Sequence, residues 1–382
     1  MNAEETANLL LSSSILLASL LDRIIGDPPG WIHPVVVMGW WISKLQRITE
    51  RHLTHQQALR WAGLGITIGL VGGSLLFGQV IEGFARWGVE QNSWITKFMG
   101  VALLSTALAS ALAGRSLEQA VNTVLMSLPM PPHDDVRPAR RALAWIVGRD
   151  TRALNGEQIL RACAETSSEN AVDGLFAPLF WMWLGALLWM INSELPGPLA
   201  LAWAFKASST LDSMLGYRTG KLRWLGTAGA RLDDLLTWLP CRLVMVSLPM
   251  VSHPLGRWAH LIHAAETDGR SDPSPNAGRS EAIYAHCTGI KMGGANKYGT
   301  KWLEKPVLAG QYLYPDQANI KDLQRLSQRL LKLWLVVGSA LIFIGLSMQS
   351  ASQYAPRSMG NNNTPKVRRI MAKSRANERP LA

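Results

Sequence analysis

The chain has 382 residues and a formal charge of +11, and it is 48% hydrophobic but only 17% charged, against about 25% charged in ordinary soluble domains. That apolar content excludes disorder for most of its length. The odd, widely spaced cysteines Cys163, Cys241 and Cys287 exclude a disulfide scaffold and read as small buried apolar residues. The balance left is an all-α, polytopic integral membrane protein with large polar loops.

A bilayer core of about 30 Å needs about 20 mostly apolar residues in helix. In chain order, spans are expected near residues 9–25, 61–81, 95–113, 175–191 and 331–348. A segment at 195–210 returns from the fourth across the turn Asn192–Pro198, as the second arm of a hairpin. Leu239–Val251 is apolar but short and bracketed by Pro240 and Pro249, so a re-entrant or interfacial course is expected there. The first span resembles a secretory signal in length, but its leading residues are acidic (Glu4, Glu5) with no Lys or Arg, which argues against cleavage.

Lys and Arg are concentrated in the loops at Gly114–Asp173 (seven) and Ser252–Lys332 (eleven). The charge rule therefore places these loops in the cytoplasm and the N-terminus outside, as in an inner-membrane, multi-pass protein. Residues 351–382 form a strongly basic, apolar-poor tail expected to be disordered and to lie near lipid. With no aromatic interleaving and no folded nucleic-acid module, no nucleic-acid partner is expected. Six spans return the tail to the N-terminal side, against the charge rule, unless one short apolar segment also crosses.

Four polar clusters carry the chemistry. The first is Gly26-Asp27-Pro28-Pro29, followed by His33; Asp27 is placed to bond backbone amides in a turn. The second joins Arg149 and Asp150 to Glu165, Glu169, Asn170 and Asp173. Glu165, Glu169 and Asp173 recur every fourth residue and so share one helix face, where like charges repel by a few tenths of a kcal/mol. A divalent cation would relieve that repulsion, and Mg²⁺ commonly takes one or two carboxylates plus nucleotide phosphates; a solvated acidic face is the alternative. The third cluster holds Lys206, Asp212, Tyr217 and Arg218, then Arg231 beside Asp233 and Asp234, a second metal or phosphate site or an ion-pair network. The fourth is Ser274-Pro275-Asn276-Ala277-Gly278 and Gly293-Gly294, whose backbone is suited to phosphate but matches neither Walker A nor GxGxxG. His260, His263 and Glu266 lack a metal motif and read as a surface group.

The stretches LDRIIGDPPGWIHPV, GRDT, ETSSENAVDGLFAPLFW, TLDSMLGYR, ARLDDLLTWLP and SPNAG…GG occur in this order. Together they resemble the adenosylcobinamide-phosphate synthase family of cobalamin biosynthesis, over roughly Leu16 to Tyr298. The resemblance implies a membrane enzyme of residues 1–350 that joins aminopropanol, favouring its O-phosphate, to the free propionate carboxyl of adenosylcobyric acid. It implies ATP as co-substrate, Mg²⁺, and the corrinoid as substrate rather than prosthetic group. Contact with other corrin-pathway enzymes is also expected. On this reading Glu165, Glu169, Asn170 and Asp173 are catalytic, and Glu165, Glu169, Asp173, Asp233 and Asp234 hold metal. Asp27, Arg149, Asp150, Asp212, Tyr217, Arg218, Arg231, Asn276, Gly293 and Gly294 bind substrate or phosphate. A transporter or an anchor for corrin-pathway enzymes would explain the spans, but not the acids in the loops.

Overall fold

A computed structural model describes residues 3–27, 30, 33–129, 135–298 and 301–354. The helices are α1 (Ala3–Ile24), α2 (Pro34–His52), α3 (Gln56–Glu90), α4 (Trp94–Ala109), α5 (Gly114–Met126), α6 (Arg137–Leu143) and α7 (Gly156–Ala171). They continue as α8 (Ala177–Ile191), α9 (Pro198–Leu215), α10 (Leu222–Leu225), α11 (Thr227–Ser252), α12 (Trp258–Gly269), α13 (Ala277–Thr288) and α14 (Gln317–Tyr354). The described β structure is one antiparallel hairpin, β1 (Met292–Tyr298) with β2 (Lys301–Leu308).

Among the described residues, six helices or fused helix runs are long and apolar enough to cross a membrane: Glu5–Ile24, Gln56–Glu90, Trp94–Met126, Gly156–Ile191, Thr227–Ser252 and Gln317–Met348. Their outer faces expose large apolar side chains, among them Trp61, Ile68, Phe84 and Trp87 on α3 and Phe343 on α14. A band of this extent is far larger than a water-soluble surface carries, so it faces lipid.

The two ends of the bundle differ. At the far end, Arg86 on α3 donates to Asn8 on α1 (3.0 Å), and Trp189 on α8 donates to the Leu195 carbonyl across the hairpin turn (3.1 Å). There Glu82, buried within α3, accepts from the amides of Gly197, Leu199 and Ala200 at 3.1, 2.6 and 3.0 Å. This carboxylate thus satisfies the open amides at the start of α9, a duty normally met by the local N-cap side chain. The approach is possible because Gly78, one turn earlier, lies against Ala200; a Cβ there would sit 2.6 Å from the Ala200 Cα. Glu82→Ala is therefore expected to lower stability by at least about 1–3 kcal/mol, since it strands buried donors. Glu82→Gln, which keeps an acceptor, should lose less. Thermal melting in detergent reads both.

The hairpin α8–α9 forms as the apolar pattern requires. Although α9 is not among the six apolar runs, it lies antiparallel to α3 from Gly78–Ala200 at the far end to Leu211, near Thr67, at the other. The segment around Leu239–Val251 proves to be part of a 26-residue helix that runs on through Pro240 and Pro249. It is long enough to cross, but both its halves are tied to the same end of the bundle. The Leu236 carbonyl accepts from Trp181, early in α8, and Ser247 accepts from Trp334, two residues beyond Lys332. α14 then carries the chain to the far end, Gly338 packing on Trp183 and Gly345 on Met190. The basic tail expected to be disordered lies outside the described residues from 355 onward, as do Pro28 and Pro29.

A candidate active site at one end of the bundle

α7 is polar in sequence yet buried almost throughout, from Ile159 through Ser168. Asn155 and Gln158 start it with a reciprocal capping box, at 2.9 and 3.0 Å. Its interior hydroxyls bond back along the helix, Ser167 to the Cys163 carbonyl (2.6 Å) and Ser168 to that of Ala164 (2.8 Å). The helix continues through a single π turn, Val172–Phe176, into α8. Such turns insert one extra residue and recur at functional sites. Here the turn contains Asp173 and changes the direction in which the acidic stripe ends.

The three acids of that stripe therefore have unlike surroundings. Glu165 is 1% exposed and paired with Arg149; it also accepts from the Gly293 amide (2.8 Å), with Arg161 Nε 3.7 Å away. Arg161 in turn donates to the carbonyls of Gly293 and Ala295 and to Asn296 Oδ1, each at 2.9 Å. Arg149 reaches the same Asn296 oxygen at 2.7 Å. This network pins β1 to α7. It requires Gly293 and Gly294, whose φ values of +80° and +93° shape a bulge in β1. Glu165 is thus committed to two guanidinium groups and an amide, and it does not share the exposure of the other two acids.

Glu169, Asn170 and Asp173 line a cavity of about 830 Å³, together with Arg149, Lys206, Asp212, Tyr217 and Lys305. Asn170 is oriented by donating to Thr166 Oγ1 (2.9 Å), itself bonded to the Ile146 carbonyl (2.8 Å). Lys305 enters from β2, bonding Glu281 at 2.9 Å with Asp272 at 3.7 Å. Burial alone would lower its ammonium; Glu281, Glu169 and Asp272 raise it instead, so Lys305 stays charged. Lys206 from α9 lies within electrostatic reach of Asp173, Asp27, Asp233 and Asp22. At the edge, Asp27 accepts from Ser116 (2.5 Å), and its Oδ1 lies 3.2 Å from His33 Nε2. The His33 ring beside it holds the Asp27 carboxyl below its ordinary range despite partial burial. Asp22, which the sequence marked only as the end of a span, accepts from the Gly114 and Arg115 amides at the start of α5.

Asp233 on α11 lies within electrostatic reach of Asp173, Asp212 and Asp234, and among the described residues its buried Oδ1 has no hydrogen-bond partner. Among the described residues no three His, Cys, Asp or Glu side chains converge as a protein-only metal cage. Mg²⁺ does not need one: one or two carboxylates with phosphate oxygens suffice. The acids of the cavity offer only hard oxygen donors, and the orphaned Asp233 oxygen is the kind of group such an ion would satisfy.

Several sequence candidates stand elsewhere. Asn276 is turned into the fold, accepting from Arg242 (2.7 Å) and donating to the Asp234 carbonyl (2.8 Å). Asp150 folds over Arg152, accepting from its backbone amide at 3.0 Å. Arg231 is exposed on α11, while Arg218, also exposed, lies toward Asp234. None of these four lines the cavity, and the backbone of Gly293 is occupied by Glu165 and Arg161. Lys305 was missed by sequence reasoning, because the stretch KWLEKPVL around it carries no motif.

The profile of the CobD/Cbib protein family matches residues 15–327. The chain belongs to this family. It is 39% identical over 293 residues to the cobalamin biosynthesis protein CobD of Synechocystis sp., covering 76% of this chain and 80% of that protein. It is 38% identical over 295 residues to CobD of Yersinia enterocolitica (77% and 86%). Against the cobalamin biosynthesis protein CbiB of Salmonella typhimurium it is 38% identical over 299 residues (76% and 84%). No solved structure matches the chain. All the residues that line the cavity fall within the matched segment.

Proposed function

We propose that this member of the CobD/Cbib family is an ATP-dependent amide ligase, joining aminopropanol or its O-phosphate to the free propionate carboxyl of adenosylcobyric acid. The observation that carries the proposal is the cavity, in which Arg149, Lys206 and Lys305 meet Glu169, Asp173 and Asp212. Cations and acids in one cleft suit a reaction that handles phosphate, carboxylate and amine together. A volume near 830 Å³ is in the range of small-molecule sites. It suits the nucleotide phosphates and the amine, with the corrin ring over the mouth.

In this reading a propionate oxygen attacks the γ-phosphorus of ATP and ADP departs, leaving an acyl phosphate. The amine nitrogen then attacks the acyl carbon, inorganic phosphate leaves, and the amine proton passes to a carboxylate of the Glu169–Asp173 face. Lys305 and Arg149 neutralise charge on the transferring phosphoryl group, which is the main electrostatic demand of such chemistry. Mg²⁺, held by Asp173, Asp233 or Asp234 with the nucleotide, would add to that neutralisation. Asn170, fixed through Thr166, orients the substrate carboxyl.

The direct test incubates purified protein in detergent with adenosylcobyric acid, Mg-ATP and either aminopropanol or its phosphate, and separates products by mass. The expected result is an amide product with one ADP released per bond formed. Folded protein that forms none with either amine overturns the proposal.

The same reading places the cavity end in the cytoplasm, where ATP is. A cysteine at the open position Gly256, in intact cells, should resist a membrane-impermeant thiol reagent, and one at Asn92 in the far-end turn should label. The native cysteines are all buried, so background labelling stays low. Labelling at Gly256 would reverse the orientation.

A further inference from the structure

On the other side of α5 from the cavity lies a second recess, of about 510 Å³, between α1, α5 and the first half of α14. Its cations are Arg23, Lys321, Arg325, Arg329 and Lys332. Arg23 is paired with Glu118, and Arg325 with Asp322 at 2.7 Å. Lys321, Arg329 and Lys332 have no ion-pair partner among the described residues. Glu118, held by Arg23, and the amide side chains of Asn122, Gln324 and Gln328 complete the lining. Lys321, Arg325 and Arg329 recur every fourth residue, a spacing at which like charges repel. An anion would remove that repulsion.

What kind of anion follows from where the recess sits. The exposed face of α14 runs on from Arg325, Arg329 and Lys332 to Val336 and Phe343, which are 67% and 68% exposed. On α1, Arg23 follows Leu16 and Leu20 along the same face, and both are open. Two helices therefore bring cationic heads to the edge of one lipid-facing apolar surface. That is the arrangement that receives a phosphate headgroup while its acyl chains lie along the helices above.

We propose that this recess binds an anionic glycerophospholipid, the headgroup phosphate resting among Lys321, Arg329 and Lys332 and the chains against α1 and α14. The site is separate from the cavity and does not depend on the ligase reading.

The test compares full-length protein with the triple variant Lys321→Gln, Arg329→Gln, Lys332→Gln, which keeps both ion pairs. Each is equilibrated in detergent with dioleoyl-phosphatidylglycerol or dioleoyl-phosphatidylcholine and examined by native mass spectrometry. The unaltered protein should retain the glycerol lipid over the choline lipid, and the variant should retain it at least about tenfold less, since each basic group near an anionic headgroup contributes several-fold. The basic tail is present in both proteins, so the difference belongs to the recess. Should the variant fail to fold, glycerol phosphate is titrated against the lipid-loaded unaltered protein instead. The lipid should stay bound at concentrations of glycerol phosphate well above its own. Equal retention of the choline lipid, full retention by the variant, or displacement by an equal concentration of glycerol phosphate would each overturn the proposal.

Discussion

Glu169→Gln is expected to lower turnover in the proposed ligation about 100-fold while leaving the melting curve in detergent unchanged. The substitution keeps size and hydrogen-bonding shape but removes one charge from the wall of the cavity facing Lys305. Loss of one pre-organised electrostatic contact typically costs about 3 kcal/mol of transition-state stabilisation. Were Glu169 only part of a solvated face, removing one of several like charges would be neutral or slightly stabilising. Turnover across a Mg²⁺ titration separates the two, and a variant with ordinary turnover and ordinary Mg²⁺ dependence would return the residue to a passive role. Asn170→Ala should also lose activity, because the amide is held in the cavity by Thr166.

Glu165→Leu, one helical turn away, should behave in the opposite manner. It strands Arg149 and Arg161, whose side chains are 6% and 9% exposed, and removing one partner of a buried pair destabilises by about 3–5 kcal/mol. The variant should melt far below the unaltered protein and lose β1 from its place on α7, seen as proteolysis within residues 292–308. Glu165→Gln still accepts from the Gly293 amide and should fall between the two. An unaltered melting curve for Glu165→Leu would mean that the network has no structural weight.

The contrast between these neighbours marks what a sequence can and cannot tell. The fourfold spacing placed Glu165, Glu169 and Asp173 on one face, and two of them do line the cavity. The spacing carried no sign that Glu165 is claimed by Arg149, 16 residues earlier in sequence, and by a glycine amide 128 residues later. Long-range pairing of this kind has no local pattern. Lys305 was hidden for the same reason: it stands on a hairpin in a chain otherwise read as helical, and its partners Glu281 and Asp272 lie on or beside α13. The apolar segments were plainer, because length and hydropathy alone govern them. At α11, however, two prolines suggested breaks that packing overrides. The Ser-Pro-Asn-Ala-Gly stretch has a backbone suited to phosphate but no phosphate motif, and in the fold Ser274 and Asn276 are engaged in starting α13 and holding Arg242.

The π turn at Val172–Phe176 has a consequence for how such a protein could lose its chemistry. One residue of an α-helix corresponds to about 100° of rotation. Excision of Val172 would restore ordinary helix and bring Asp173 from the fourth to the third residue after Glu169, a rotation of roughly that angle. The apolar hairpin beyond it would remain as hydrophobic as before. The position of the last acid is thus written in the length of the chain, and the shortest genetic route to a folded, membrane-inserted and inert descendant is an in-frame codon deletion, with every side chain of the cavity still encoded.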